Sequence, residues 1–186
     1  MNHFQPDPEE MFTLRDLGVF ETKPCEVFDR LTAWGERFCP GAGCVLFLRD
    51  VECRRVILRS AGPRARARLL RTRHFLAGSL TDHVCEDGDV VTDADPMSWS
   101  PTMPEIADFG ATSFVAVPVT GPGGDKIGIV AILSEKRPVP TAQATADLQG
   151  MALIISQRIM LKASLATLQR IAKDRALVGS PPRHKH

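Results

Sequence analysis

The stretch Asp108–Pro140, DFGATSFVAVPVTGPGGDKIGIVAILSEKRPVP, decides the fold. Two runs rich in Val, Ile and Phe, Thr112–Thr120 and Lys126–Ser134, flank Gly121-Pro122-Gly123-Gly124-Asp125. β-Branched and aromatic residues suit a pleated surface, and the glycines supply the positive φ of a tight reversal, so the pair predicts a β-hairpin. Neither run alternates cleanly between apolar and polar, which predicts strands covered on both faces and central in their sheet. Arg137-Pro138-Val139-Pro140 breaks the pattern, and from Thr141 to about Val178 it is helical.

That helix spans about 55 Å at 1.5 Å per residue, longer than a domain of this size is wide. Its first half carries Leu148, Ala152, Ile155 and Ile159 on one face and Met151, Ile154 and Leu161 on another. The second stripe continues through Leu165, Leu168 and Ala172 as a heptad seam interrupted by Arg158. One face is expected to cover the sheet and the other to pair with a second copy. The alternative is an amphipathic helix folded back on its own domain. Gly150 weakens the helix without breaking it.

Upstream, Lys23-Pro24 introduces a helix over Cys25–Phe38, with Val27, Phe28, Leu31 and Trp34 on one face. Cys44–Leu48 and Arg55–Leu58 predict a second hairpin. Arg64–His74 fits a strand or a helix. Thr81–Cys85 predicts a short helix stopped by Glu86-Asp87-Gly88, and Ser98–Phe109 reads as a mobile loop with one helical turn.

Ser113, Phe114 and Pro118 in the first strand, the glycine hairpin, Ile127–Leu133 in the second strand and the helix beyond a proline-bearing loop resemble the end of a GAF domain. Phe75–Cys85 followed by Asp89–Pro96 is similar to that family's mid-domain helix and short strand. The resemblance covers roughly Glu26 to Arg158 and rests on apolar, structural motifs. It implies an α/β (α+β) fold with a central antiparallel sheet of about six strands, helices on both faces and a long C-terminal helix. The implied divisions are an N-terminal segment (1–22), the GAF-like domain (23–158), a helical extension with a possible coiled coil (159–178) and a basic tail (179–186).

A chain of 186 residues fits one domain plus an extension, and 44% hydrophobic with 24% charged residues is the composition of a folded chain rather than a disordered one. A net charge of +1 exerts no global pull toward nucleic acid or membrane. No run of about 18 apolar residues is evident, and Met1-Asn2-His3-Phe4-Gln5-Pro6-Asp7 lacks the basic and apolar regions of a signal peptide. A cytoplasmic location with no membrane or nucleic-acid partner is expected. Five cysteines without CxxC spacing predict reduced thiols.

Charge is unevenly laid out. Arg54–Arg73 holds eight arginines and no acid, whereas Asp82–Asp108 holds eight acids and no lysine or arginine. Guanidinium forks suit phosphate or carboxylate, but no aromatics interleave as a base-stacking platform requires. The alternative sets the basic segment beside the acidic one, as charged edges that discourage aggregation. Asp82 and His83 are adjacent and diverge on a helix, and Cys85 forms no thiolate–imidazole spacing with His83. Gly-x-Ser-x-Gly, His-Glu-x-x-His and phosphate-loop signatures are absent, and Cys39 and Cys44 lack two further metal ligands. No catalytic or metal residue is assigned, and the chain is expected not to be an enzyme.

The GAF resemblance implies a regulatory module that encloses a small molecule between its sheet and the Ser79–Phe109 segment. The residues it suggests for the ligand are Thr81, Asp93, Trp99, Phe109 and Phe114, with Arg71 and Arg73 complementing an anionic group. It names no cofactor. It implies a homodimer through the C-terminal helix and an effector protein on another chain. Family members that reduce free methionine sulfoxide are similar around Cys85 only. Their further cysteine would fall within Glu105–Asp108, where this chain has Asp108. Covalent tetrapyrrole binders carry tyrosines, and this chain has none. The signature of cyclic-nucleotide binders is not traceable, and His83 is the candidate for a haem ligand. Two rival readings are a ligand-free dimerisation module and a thiol sensor or enzyme built on Cys85.

Overall fold

The structure, a computed structural model, describes residues 14–20, 24–39, 41–69, 74–93, 103–136 and 141–178. In chain order its elements are α1 (Glu26–Gly35), β1 (Ala42–Asp50), β2 (Arg55–Ala61), α2 (Pro63–Leu69), β3 (His74–Phe75), α3 (Leu80–Asp87), β4 (Val91–Asp93), α4 (Pro104–Phe109), β5 (Ser113–Thr120), β6 (Lys126–Ser134) and α5 (Ala142–Val178).

The β5–β6 hairpin forms as its composition dictates, in a ladder from Ser113 opposite Ser134 to Thr120 opposite Lys126. The sheet runs β3-β2-β1-β6-β5-β4, and every neighbouring pair is antiparallel. Five strands have three residues or more, and the two-residue pairing of β3 closes one edge. With β1 laid against β6, the three central strands are covered on both sides, which explains their near-continuous apolar runs. Leu46, Leu48, Val115, Val117, Val130 and Ile132 face one core with α1 and α5. Val45, Phe47, Phe114, Ala116, Ile129 and Leu133 face the other with α2, α3 and α4.

α1 departs from its expected face, while α2 and α4 form in stretches whose form the sequence leaves open or reads as a loop with one helical turn. In α1 the buried residues are Phe28, Thr32 and Gly35, whereas Val27 and Trp34 are exposed. On this buried face Thr32 Oγ1 shares a 3.0 Å hydrogen bond with Ser60 Oγ on β2, and Gly35 lies so close to Cys44 that a Cβ there would stand 2.5 Å from its Sγ. The undecided Arg64–His74 stretch contains α2, whose Ala65 and Leu69 lie one turn apart and are buried. Within the expected loop before Phe109 stands α4, begun by Pro104 and ended by Gly110 at φ 73°.

Residues 14–20 dock as a turn, burying Leu17 and Val19 in the α1/α5 core. Arg59 Nε donates to the Val19 carbonyl at 2.9 Å.

α5 is continuous for 37 residues. Leu148, Met151, Ala152, Ile155 and Ile159 are buried on the sheet. Met151 therefore belongs to the core face, not to the outer seam where its heptad spacing had set it, because Leu148, Met151 and Ile155 follow one line of the helix. Leu161, Leu165 and Leu168 are exposed. By length and composition 142–173 is apolar enough to cross a membrane, in contrast to the expectation from the sequence. Its first half, however, is the cover of a sheet core.

Candidate functional site: the α3 layer and its cleft

α3 is fixed at both ends. The Ser79 hydroxyl accepts from the Asp82 amide at 3.0 Å, and Gly88 closes the helix at φ 77°, a left-handed conformation that glycine adopts without strain. The buried Glu105 carboxylate reaches over from α4. It accepts from the Leu80 amide at 3.0 Å, the Thr81 amide at 3.2 Å and Thr81 Oγ1 at 3.0 Å. First-turn amides have no partner within their own helix, so a carboxylate there is held by both hydrogen bonds and the helix dipole.

Arg49 sits at the end of β1, on the same side as Val45 and Phe47 by strand alternation. Its Nη1 lies 3.6 Å from Asp82 Oδ1. Beside this pair opens a cleft of about 370 Å³ lined by Leu14, Arg49, Val51, Cys85, Asp125, Lys126 and Ile127. Cys85 Sγ donates to the Gly128 carbonyl at 3.5 Å. Burial pushes its thiol up to about 11, although Arg49 acts in the opposite direction. Lys126 Nζ donates to Thr120 Oγ1 at 3.2 Å, and the Thr120 amide donates to Ser156 Oγ of α5 at 2.9 Å. The β5–β6 register shifts at this position, between Val119 and Thr120. Two hydrogen bonds thus connect a cation in the cleft with the long helix.

A second cleft, of about 220 Å³, lies between α1 and β2 and includes Asp29, Arg59, Ser60 and Arg66. Ser60 Oγ donates to Asp29 Oδ1 at 2.6 Å, and Arg66 Nη2 donates to the same oxygen at 3.1 Å.

The ligand residues expected from the sequence are only partly assembled. Thr81, Phe109 and Phe114 lie in one buried layer, and Asp93 pairs with Phe114 across the β4–β5 ladder. Thr81 already bonds Glu105, while Phe47, Leu80 and Ile106 pack in the same layer as the two phenylalanines. A Cβ at Gly43 would stand 2.6 Å from the Phe109 ring, so a side chain there would displace it. Trp99, Arg71 and Arg73 fall outside the described residues. His83, the haem candidate, has Nε2 3.2 Å from Asp87 Oδ2. Among the described residues no group of three or more His, Cys, Asp or Glu side chains is arranged to hold a metal.

Arginines of the basic run have local partners. Arg55 pairs with Asp50, Arg66 with Asp29 and Arg68 with Glu135. Arg59 and Arg68 lie over the rings of Phe28 and Phe109. These acids come from β1, α1 and the end of β6, not from the expected acidic segment, whose Asp82 meets Arg49 instead. Glu105, Arg49, Lys126, Thr120 and Ser156 were not singled out from the sequence. For Glu105 a signal existed, since Pro104 and Gly110 punctuate a short helix.

A two-faced antiparallel sheet with α3 and α4 on one side and a long terminal helix on the other is the GAF fold. The GAF domain of a phosphoenolpyruvate-protein phosphotransferase from Coxiella burnetii superimposes with a TM-score of 0.60 at 18% identity, covering 82% of this chain and 94% of that one. The second GAF domain of DevS from Mycobacterium smegmatis matches with a TM-score of 0.55 at 12% identity, over 81% and 99% of the two chains. A free methionine-R-sulfoxide reductase from Neisseria meningitidis, solved with its substrate, matches with a TM-score of 0.58 at 19% identity, over 88% and 97%. No family model and no curated protein sequence matches the chain. The likeness is one of fold. It corrects one expectation: reductases share this fold, so the exclusion of an enzyme does not stand.

Proposed function

We propose that the chain is a regulatory GAF-type module that acts as a homodimer through α5 and takes a small anionic molecule in the cleft beside α3. The observation that carries this reading is the run from Lys126 through Thr120 to Ser156, which joins the cleft to α5. Arg49 is already balanced by Asp82, whereas the Lys126 ammonium donates to a neutral hydroxyl. A ligand carboxylate or phosphate draws Lys126 from Thr120, the residue whose amide holds Ser156. The bound and free states then differ in a contact of Thr120, the residue whose amide bonds α5, and a ligand shifts an equilibrium only through such a difference. A packed helix carries a small displacement rigidly along its length. Asp125 at the rim opposes polyanions and favours a ligand with a single anionic group.

The test is a thermal-shift series with short-chain carboxylates, and with amides of the same shape, on the full chain and on Lys126→Ala. Stabilisation by the carboxylates alone, lost in the variant, is the expected result. No shift with any compound overturns the ligand reading and favours the ligand-free dimerisation module, which the filled layer around Phe109 and Phe114 supports.

A further inference from the structure

The cleft beside α3 holds two charges that the described residues leave unanswered. Arg49 is not one of them, since its Nη1 lies 3.6 Å from Asp82 Oδ1. Lys126 rests on the neutral hydroxyl of Thr120. The Asp125 carboxylate, exposed on the turn that leads into β6, makes no hydrogen bond or ion pair with any described residue, Lys126 included. One cation and one anion without counter-charges therefore open into the same space of about 370 Å³. That volume is near the lower end for ligand cavities, roughly 300–1,000 Å³, and suits a small molecule.

The remaining wall is largely apolar, built from Leu14, Val51 and Ile127. Val51, just beyond β1, is left 58% exposed. A large aliphatic side chain open to water on the wall of a cleft gains from an apolar body laid over it.

The two charges decide between classes of ligand. A simple carboxylate at Lys126 brings its own charge near Asp125, and like charges in a recess shielded from bulk water repel. A simple amine at Asp125 meets Lys126 in the same way. A molecule that carries both groups answers each charge and opposes neither.

We infer that the cleft takes a small aliphatic zwitterion, with its carboxylate on Lys126, its ammonium on Asp125 and its apolar body over Val51 and Ile127. The inference rests on the Lys126 reading of the proposed function and adds the second charge of the ligand.

Isothermal titration calorimetry of the full chain and of Asp125→Asn tests it, with L-leucine beside isocaproate and γ-aminobutyrate beside butyrate. The members of each pair differ only in the ammonium group. At least one zwitterion is expected to bind the unaltered chain about tenfold tighter than its parent acid. In Asp125→Asn that advantage is expected to shrink to within about twofold, with the acid held as well as before or better. Which pair shows the advantage tells whether the two charges of the ligand are close together or spread along its chain. If the acids bind and neither zwitterion binds tighter, the Lys126 reading stands and the inference is overturned. An advantage that survives undiminished in Asp125→Asn also overturns it. If neither acid nor zwitterion binds, the Lys126 reading falls and the inference with it.

Discussion

Ile159 and Leu161 are two residues apart on α5, yet Ile159 is 2% exposed and Leu161 is 50% exposed. At 3.6 residues per turn they point to nearly opposite sides of the helix. Ile159 closes the sheet core, and Leu161 lies on the exposed outer side of the helix. One rod therefore serves the domain along one face and presents the other to water.

Truncating each member of this pair separates the two roles. Ile159→Ala is expected to cost about 2–4 kcal/mol of unfolding free energy, from lost transfer energy and a core cavity. Leu161→Ala is expected to change it by less than about 1 kcal/mol at concentrations low enough to keep the chain monomeric. Urea unfolding followed by circular dichroism at low micromolar concentration measures both.

Glu105 ties α4 to the start of α3. Glu105→Ala leaves the Leu80 and Thr81 amides and the Thr81 hydroxyl without their acceptor, at a cost of about 1–3 kcal/mol. Hydrogen exchange at Leu80 and Thr81 is expected to accelerate more than exchange in α5. Uniform acceleration across the chain would mean that the carboxylate is not a local clamp.

Asp50 is buried, yet it accepts from the Cys53 amide, from Arg15 and from Arg55. Burial works against its ionisation, but the Cys53 amide and the two guanidinium groups outweigh it and hold the carboxyl below its usual value. A depressed folded pKa stabilises the fold fully above the unfolded value of about 3.9 and is lost as pH falls through the folded value. Asp50→Asn is expected to cost about 1–3 kcal/mol at pH 7. The difference from the unaltered chain shrinks as pH drops below about 4. Denaturant titrations at pH 7 and pH 3 check the sign, and a difference that grows on acidification would contradict it.

The Cys85 thiol, raised to about 11 by burial, is expected to stay protonated at pH 7.5. Iodoacetamide should alkylate exposed Cys53 well before Cys85, as read by peptide mass spectrometry. Because the unfolded thiol ionises near 8.5, this burial also lowers stability as pH rises from about 8.5 toward 11. Cys85 labelling faster than an exposed model thiol at pH 7.5 would favour the thiol-sensor reading.

The fold was legible where local chemistry and tertiary context agree. Val/Ile-rich runs around Gly121–Asp125 specify β5 and β6, and the unbroken pattern after Pro140 specifies α5 to its last described residue. Arg64–His74 was not decidable, because Ala65 and Leu69 are the only buried anchors of α2 and alternating arginines also mimic a strand. The buried face of α1 meets Ser60 through Thr32, 28 residues away, and Cys44 through Gly35, contacts that no local periodicity encodes. The candidate site was less legible still. Glu105 reads as one acid in an acidic loop until α4 brings it to the α3 N-terminus. Lys126, Thr120 and Ser156 become neighbours only once the hairpin lies against α5. Phe109 and Phe114, expected to line a ligand pocket, pack in a buried layer with Phe47, Leu80 and Ile106.

Light scattering on the full chain beside the double variant Leu161→Lys/Leu168→Lys tests the homodimer most directly. The account predicts twice the 20.4 kDa of one chain for the unaltered protein, and a single chain mass with unchanged helicity for the variant. A mass of 20.4 kDa for the unaltered protein across the accessible concentration range, or a variant that remains a dimer, would contradict it.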